Sequence, residues 1–410
     1  MHGDTLQIIF ILAASYLVSR LMIKAKLPEA AVFWLIGREN HHVSTILFYF
    51  IGITTFLGIF IHHAIVVLTL LPLLKVIRDT LDKAHPDQVT RIATMLACCL
   101  MYGANIGGIG AITSSAANGI LLTVALVNNV VGHEKLTFAL WMLWAVPLVL
   151  VYTLAAWALI VGFFRPGKYF KEKLRFQPTE SLENPYKKMA IWLSVLTFSS
   201  AFLISMLSNI LPQYVMLLTI ITAVVNSGVI IFLFTHRVKD GAETKPLLTF
   251  ADCLSNMPKK GLVLVAVSTV VAGAFVFGQH YFEDTLKDYA SHIVPAGMSP
   301  LLLCFIIALI ATFATELASN TVVQLALFAI VPIVAGLTDL PPLLAMIAVT
   351  LASSSAFMSP LSTGVNSLVF GEVRDASLKK MIQIGFFMNL IGSFLVAFWI
   401  LTVTRWILGL

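Results

Sequence analysis

Residues 316–324 of this chain read Glu-Leu-Ala-Ser-Asn-Thr-Val-Val-Gln inside an otherwise apolar run. Glu316, Ser319, Asn320, Thr321 and Gln324 bring a carboxylate, hydroxyls and amides together. A carboxylate within such a run is a functional-site candidate by default, because an apolar surround makes its charge costly; its structural alternative is a carboxylate that bonds the local turn. Ser319 and Asn320 are neutral donors and acceptors, suited to contacting a ligand rather than to covalent chemistry. A second stretch, MYGANIGGIGAITSSAANGI at 101–120, mixes glycines with Asn105, Ser114, Ser115 and Asn118. Small residues serve close helix contacts, but amides and hydroxyls suggest more: an unwound helix whose carbonyl and hydroxyl oxygens suit Na⁺. The amides at a half-helix N-terminus would suit an anion. A third feature is the pair His62-His63, which interrupts ITTFLGIFIHHAIVVLTLLPLL. Adjacent helical side chains diverge by about 100°, so the two rings could share a metal only at a turn, and no third ligand is evident. Proton transfer and direct attraction of an anion stay open.

The elements that must position these residues are membrane helices. Of 410 residues, 59% are hydrophobic and 11% charged, against roughly 25% charged in soluble domains. Apolar runs long enough to cross a bilayer recur along the chain, and the first begins without a basic signal-peptide leader. The net charge of +6 lies in short loops between those runs, which points to membrane orientation rather than to nucleic acid. Cys98, Cys99, Cys253 and Cys304 form no CxxC pair and are expected to be packing residues without a metal or redox role. No nucleophile–base set is present, and the glycine-rich stretch is not followed by Lys-Ser/Thr, so no enzymatic activity is expected and no cofactor.

Spans are expected at about 5–23, 92–131 and 342–370 (both interrupted), 138–163, 189–211, 214–235, 261–277 and 379–405. The stretches 43–78 and 298–337 are too long for one span, and each has a polar break in its middle. Two re-entrant helix hairpins explain both. Loops 24–38, 75–91, 164–188, 236–260 and 372–380 then share one side and carry most of the basic residues, including Lys24, Arg38, Lys75, Arg78, Arg91, Lys259 and Lys260. The other side keeps Lys135, Lys287 and Arg405, and its loop at 278–292 is net acidic. The basic side is the cytoplasm, so both termini are expected outside, in a bacterial inner membrane. Segments 24–42 and 246–260 read as amphipathic arms on the inner surface.

Hairpins of opposite sidedness imply an inverted repeat. TSSAAN (113–118) matches LSTGVN (361–366), and TTFLGIFIHHAIV matches ATFATELASNTVV with His62, His63 and Ala64 opposite Ser319, Asn320 and Thr321. The expected fold is an all-α polytopic membrane protein with inverted repeats, two re-entrant hairpins and two broken helices. Residues 1–163 form the first repeat, 164–188 a cytoplasmic linker and 189–410 the second repeat. Broken helices at corresponding positions point to a transporter's central site.

TELASNT and MSPLSTGVNSLVFGE resemble the second-half signatures of the divalent anion/sodium symporter family, carriers of dicarboxylates, citrate and sulfate; NIGGIGAITSSAAN resembles the corresponding first-half motif. The resemblance covers nearly the whole chain. It implies a two-domain elevator fold, a homodimer, an anionic substrate and Na⁺ as coupling ion. Carried over, Ser319, Asn320 and Thr321 contact substrate and one Na⁺, and Ser362, Thr363 and Asn366 complete that site. Gly107, Gly108, Ser114, Ser115 and Asn118 serve the other half together with Asn105, and Glu316 has a structural or coupling role. The departures are His-His-Ala where the first tip has Ser-Asn-Thr in the family, Ala116-Ala117 and Gly364-Val365 in place of Pro-Pro pairs, and fewer scaffold helices ahead of the first arm; either an additional membrane subunit supplies them or this is a minimal version of the fold. Two other readings stand beside symport of a small anion: a Na⁺/H⁺ antiporter of the same superfamily, and a transport-inactive anion sensor or subunit of a larger complex. Imidazoles at His62 and His63 allow H⁺ to join or replace Na⁺.

Overall fold

The computed structural model describes residues 3–37, 39–174, 184–240, 243–255, 288, 292, 294–295, 297–360 and 362–410. The span expected at 261–277 lies outside them, as do Arg38, Lys259, Lys260, Lys287, Leu361, most of the acidic loop and residues 175–183 of the linker. Eight helices among the described residues are long and apolar enough to cross a membrane. With almost no sheet beside them, they make this an all-α integral membrane protein, as its composition requires. In lipid every backbone N–H and C=O must be bonded internally, and a helix does this within one segment.

The chain opens with α1 (Gly3–Lys24) and the short α2 (Leu27–Ile36). The first stretch expected as a hairpin is α3 (Val43–Phe60) and α4 (His63–Ala84), separated by the extended residues Ile61 and His62. Then α5 (Val89–Gly107) ends in an irregular segment before α6 (Ala116–Val127). A long α7 (Phe138–Phe164) and one-turn α8 (Pro166–Tyr169) close the first half. The second half holds α9 (Lys187–Ile210) and α10 (Val215–Thr235). A β-hairpin follows, β1 (Arg237–Asp240) with β2 (Glu243–Pro246), and then α11 (Phe250–Leu254). The second hairpin is α12 (Pro300–Leu317) and α13 (Asn320–Ala335), and the second broken helix is α14 (Pro342–Ser354) and α15 (Gly364–Glu372). Finally α16 (Leu378–Trp399) runs through a π-helical turn, Ile400–Thr404, into α17 (Arg405–Leu408).

The strand pair was not expected. Its signal was Gly241-Ala242 between two short segments, a two-residue link that begins with Gly. It leads into the arm expected over 246–260, whose described part is the strand end Pro246, two buried leucines at 247 and 248, and a short helix capped by Thr249 and Asp252.

Two packing units share the molecule. In one, α1 lies against α9 and α10, and Gln7 Nε2 donates to Ser208 Oγ at 2.9 Å and to Thr219 Oγ1 at 3.2 Å. Interhelical polar bonds of this kind hold helices where lipid gives no hydrophobic drive. In the other unit, α3 and α4 pack on α5 while α3 and α5 pack on α7; in the same way α12 and α13 pack on α14, and α12 and α14 on α16. The second parts of the broken helices are exchanged: α6 lies against α13 and α14, and α15 against α4 and α5. Thr55 on α3 is bonded by Thr153 of α7 at 3.2 Å, and Thr312 on α12 by Ser393 of α16 at 3.3 Å. The closest approach is at Gly107 of α5. A Cβ there would collide with the Thr55 carbonyl oxygen of α3, so part of the glycine-rich stretch is explained by helix contact alone.

Candidate functional site

Each hairpin tip is a two-residue extended link between helices. At the first, Ile61 (φ −114°, ψ 135°) and His62 (φ −51°, ψ 128°) make the link; at the second, Ala318 (−136°, 166°) and Ser319 (−64°, 143°) do. The sequence match of His62 with Ser319 is therefore also a match of backbone position. The chemistry differs. Ser319 Oγ caps α13 by accepting from Val322 N–H at 3.4 Å, and Asn320 Oδ1 accepts from Thr321 N–H at 2.9 Å. Asn320 makes no other hydrogen bond among the described residues, leaving most of its amide for a ligand. His62 does not cap α4. The rings of His62 and His63 lie 4.3 Å apart at 36°. The ring of His63 rests on the first break, where a Cβ on Gly108 would stand 3.0 Å from its Nδ1.

The second break spans Ser355 to Thr363, and two buried side chains hold it. Glu316, from the last turn of α12, accepts at Oε1 from the backbone N–H groups of Phe357 (2.7 Å) and Met358 (2.9 Å) and from Asn389 Nδ2 of α16 (2.7 Å). Its Oε2 accepts from Ser359 N–H at 2.6 Å. Glu316 therefore bonds the break of the following helix, not the turn of its own hairpin. Asn366, in the first turn of α15, donates from Nδ2 to the carbonyls of Ala356 (3.0 Å) and Ser359 (2.9 Å) and to Ser362 Oγ (2.7 Å). Its Oδ1 accepts from Thr363 Oγ1 at 2.9 Å and from Asn105 Nδ2 at 2.8 Å. Asn105 stands on α5, so this bond joins the two broken helices.

The first break repeats this plan. Asn118 donates to the carbonyls of Gly108 (3.1 Å) and Ala111 (2.9 Å), ten and seven residues earlier, the same separations Asn366 uses. Ser114 Oγ donates to Ala111 O at 2.6 Å as Ser362 Oγ donates to Ser359 O at 2.8 Å. Ser115 caps α6 and Thr363 caps α15. One element is missing: Ile59 stands near the first break in place of a carboxylate, packed so closely that a Cβ on Gly110 would lie 2.6 Å from its Cγ1. The amides of Ile109 and Gly110 instead bond to the carbonyls of Ile106 and Gly107 in tight turns. The first break is thus closed on itself, and the second is held open by Glu316.

At each break carbonyl, hydroxyl and amide oxygens crowd around one Asn, a donor set of the kind that takes a hard cation. Beside it lies the N-terminus of α6 or α15, whose N–H groups favour negative charge. The structure brings together Asn105, Ser362, Thr363, Asn366 and Glu316 in one network, and Gly107, Gly108, Ser114, Ser115 and Asn118 in another. The tips carrying His62-His63 and Ser319-Asn320-Thr321 have no hydrogen bond to each other among the described residues. Gln324 serves packing: its Nε2 donates to Ala117 O at 2.8 Å and Thr350 Oγ1 at 3.0 Å, tying α13 to α6 and α14. Sequence reasoning missed Asn389, whose Oδ1 also accepts from Phe357 N–H at 3.1 Å. It missed Trp141 too, whose indole N–H donates to Ile109 O at 2.9 Å. A lone Asn in the last apolar span was the available signal for the first; Trp141 gave none.

Two broken helices facing two hairpins, with oxygens converging at each break, define the class of membrane transporters. The chain belongs to the family described as the sodium:sulfate symporter transmembrane region, whose profile matches residues 3–410. It is similar to the sodium-dependent dicarboxylate transporter SdcS of Staphylococcus saprophyticus, 23% identical over 402 residues, covering 94% of this chain and 74% of that protein. SdcS proteins of Staphylococcus aureus, among them those of strains RF122 and MW2, are 23% identical over 420 residues, covering 98% of this chain and 77% of theirs.

Proposed function

We propose that the protein is a Na⁺-coupled symporter of a small dianion, with a four-carbon dicarboxylate as the leading substrate. The observation that carries this is the matched pair of Asn-centred breaks, each beside a half-helix N-terminus. The relatives named as sodium-dependent dicarboxylate transporters support the choice of substrate. Ser319, Asn320 and Thr321 bind a substrate carboxylate together with Thr363, and Ser362 and Asn366 hold Na⁺ beside it; Ser115 and Asn118 face the other end. The repeated packing of the two halves supports an inverted repeat and elevator-like alternating access. The basic loops support a cytoplasmic 164–188, outer termini and an inner-membrane location; a homodimer, with or without a further membrane subunit, is the proposed assembly. Glu316 is committed to four donors, which favours symport over Na⁺/H⁺ exchange, where a carboxylate must release its partners.

Purified protein in liposomes should take up labelled succinate under an inward Na⁺ gradient, with citrate and sulfate as competitors. Asn320→Ala should weaken succinate binding about 10- to 100-fold, as loss of a hydrogen bond to a charged group does. Unchanged binding would remove Asn320 from the site. Wild-type protein with neither uptake nor a Na⁺-dependent thermal shift would end the symport reading; a shift without uptake would support a sensor.

His62 and His63 favour a second coupling mode, in which a proton replaces Na⁺ at the first tip. The combined change His62→Ser, His63→Asn, Ala64→Thr should flatten the pH dependence of uptake and steepen its Na⁺ dependence. If both profiles stay as in the wild type, the rings serve only to fill the tip.

A further inference from the structure

One buried cation has no role in the site above. Arg20 lies in α1, within a span, and is only 4% exposed. Its Nε and Nη2 both donate to one acceptor, Tyr16 Oη, at 3.2 and 3.0 Å, and that phenol in turn donates to Cys253 O at 2.8 Å. A guanidinium has five N–H groups, so most of its donors find no partner among the described residues, and no carboxylate there pairs with it. A cationic side chain in a span is costly unless something compensates it, and for that reason marks function.

Arg20 lines a cavity of about 300 Å³ between α1 and α2 on one side and α4 on the other, at the lower end of the range that ligand pockets occupy. The charged groups facing it are Arg20, Lys24, Glu29 and Asp252. Lys24 and Asp252 neutralise each other at 2.9 Å. Burial pushes the Glu29 carboxyl above the usual carboxylate range, and its Oε2 is buried without a partner. What remains at the cavity wall is a buried guanidinium with unused donors. Along α4 its wall runs from Pro72 up to Ile65, just beyond the tip histidines. At the other end Lys24 marks the side of the basic loops.

We infer that this cavity is an inner vestibule for the transported anion, in which Arg20 takes one carboxylate of the substrate on its way between the cytoplasm and the first hairpin tip. A carboxylate fits a guanidinium edge with two parallel hydrogen bonds, which neither Lys24 nor a histidine offers. The inference rests on the symport reading, because it needs a carboxylate in transit.

The test places a thiol on the vestibule wall with Leu68→Cys and follows its labelling from the cytoplasmic face of inside-out vesicles. Protein without that substitution supplies the background. A sulfonate thiol reagent should react at least about tenfold faster than its trimethylammonium counterpart, and succinate should slow it. Adding Arg20→Gln should remove both the preference and the protection; Arg20→Lys should keep the preference and weaken the protection. Equal rates for the two reagents, or no protection by succinate with Arg20 intact, overturns the proposal without recourse to any Arg20 variant, as does an unchanged pattern in Arg20→Gln. Na⁺-dependent thermal stabilisation by succinate separates the failures. Where succinate stabilises the wild type but does not protect the thiol introduced by Leu68→Cys, only the vestibule falls; where it neither stabilises the wild type nor is taken up, the symport reading falls with it.

Discussion

Glu316→Ala should abolish uptake and lower the thermal unfolding midpoint in detergent by several degrees. The reason is the number of donors involved. Three backbone N–H groups and the Asn389 amide converge on two carboxylate oxygens. Phe357 N–H keeps a second acceptor in Asn389 Oδ1, but Met358, Ser359 and Asn389 each lose the acceptor that Glu316 supplied. An unsatisfied buried donor costs about 1–3 kcal/mol; Met358 and Ser359 are half-buried, so water recovers part of this. Glu316→Gln gives a graded comparison. Its single carbonyl oxygen can serve the Oε1 side, while its NH₂ then points at Ser359 N–H, donor against donor. Uptake should fall less than for Ala, with a smaller drop in midpoint. Wild-type stability and uptake in Glu316→Ala would show that the break does not need this carboxylate.

The second large effect is expected at Asn366. Asn366→Ala removes both amide bonds to the break carbonyls, the bond to Ser362 and the only link from this side chain to Asn105 of the first half. Na⁺-driven uptake should fall by about 100-fold or more, since several buried bonds of about 1 kcal/mol each are lost together and Ala356 and Ser359 no longer keep their register. Asn366→Asp sharpens the test: the acceptor for Asn105 and Thr363 survives, but an anionic oxygen faces two carbonyls, so Na⁺-free protein should be destabilised and Na⁺ should restore stability. Asn118→Ala is the internal control. Its bonds stay within the first break, so its effect on uptake should be about tenfold smaller than that of Asn366→Ala. Equal losses would mean that the two breaks carry the same load and that the asymmetry created by Glu316 is inconsequential.

The order of the helices was legible because each feature that defines it is local. Apolar runs set the spans, His62-His63 and Ser319-Asn320 mark the hairpin breaks, and Asn118 and Asn366 mark the broken helices. A polar break in an apolar segment is visible from composition alone, since no neighbour is needed to make it costly. The repeat was legible for the same reason: Ser114-Ser115-Asn118 and Ser362-Thr363-Asn366 bond mainly to residues a few positions earlier in their own segments. What tertiary structure decided are the partners contributed by distant elements. Glu316 could be read as an isolated carboxylate, but not as the acceptor for three amides about forty residues further on. Asn105 stood among first-half residues, and only packing of α15 against α5 places it on Asn366. Arg20 is a charge in an apolar run, yet that no carboxylate among the described residues pairs with it depends on what α2, α4 and α11 present to it. A sequence determines which groups lipid will not tolerate alone; which partner relieves each of them depends on the helices that pack around it.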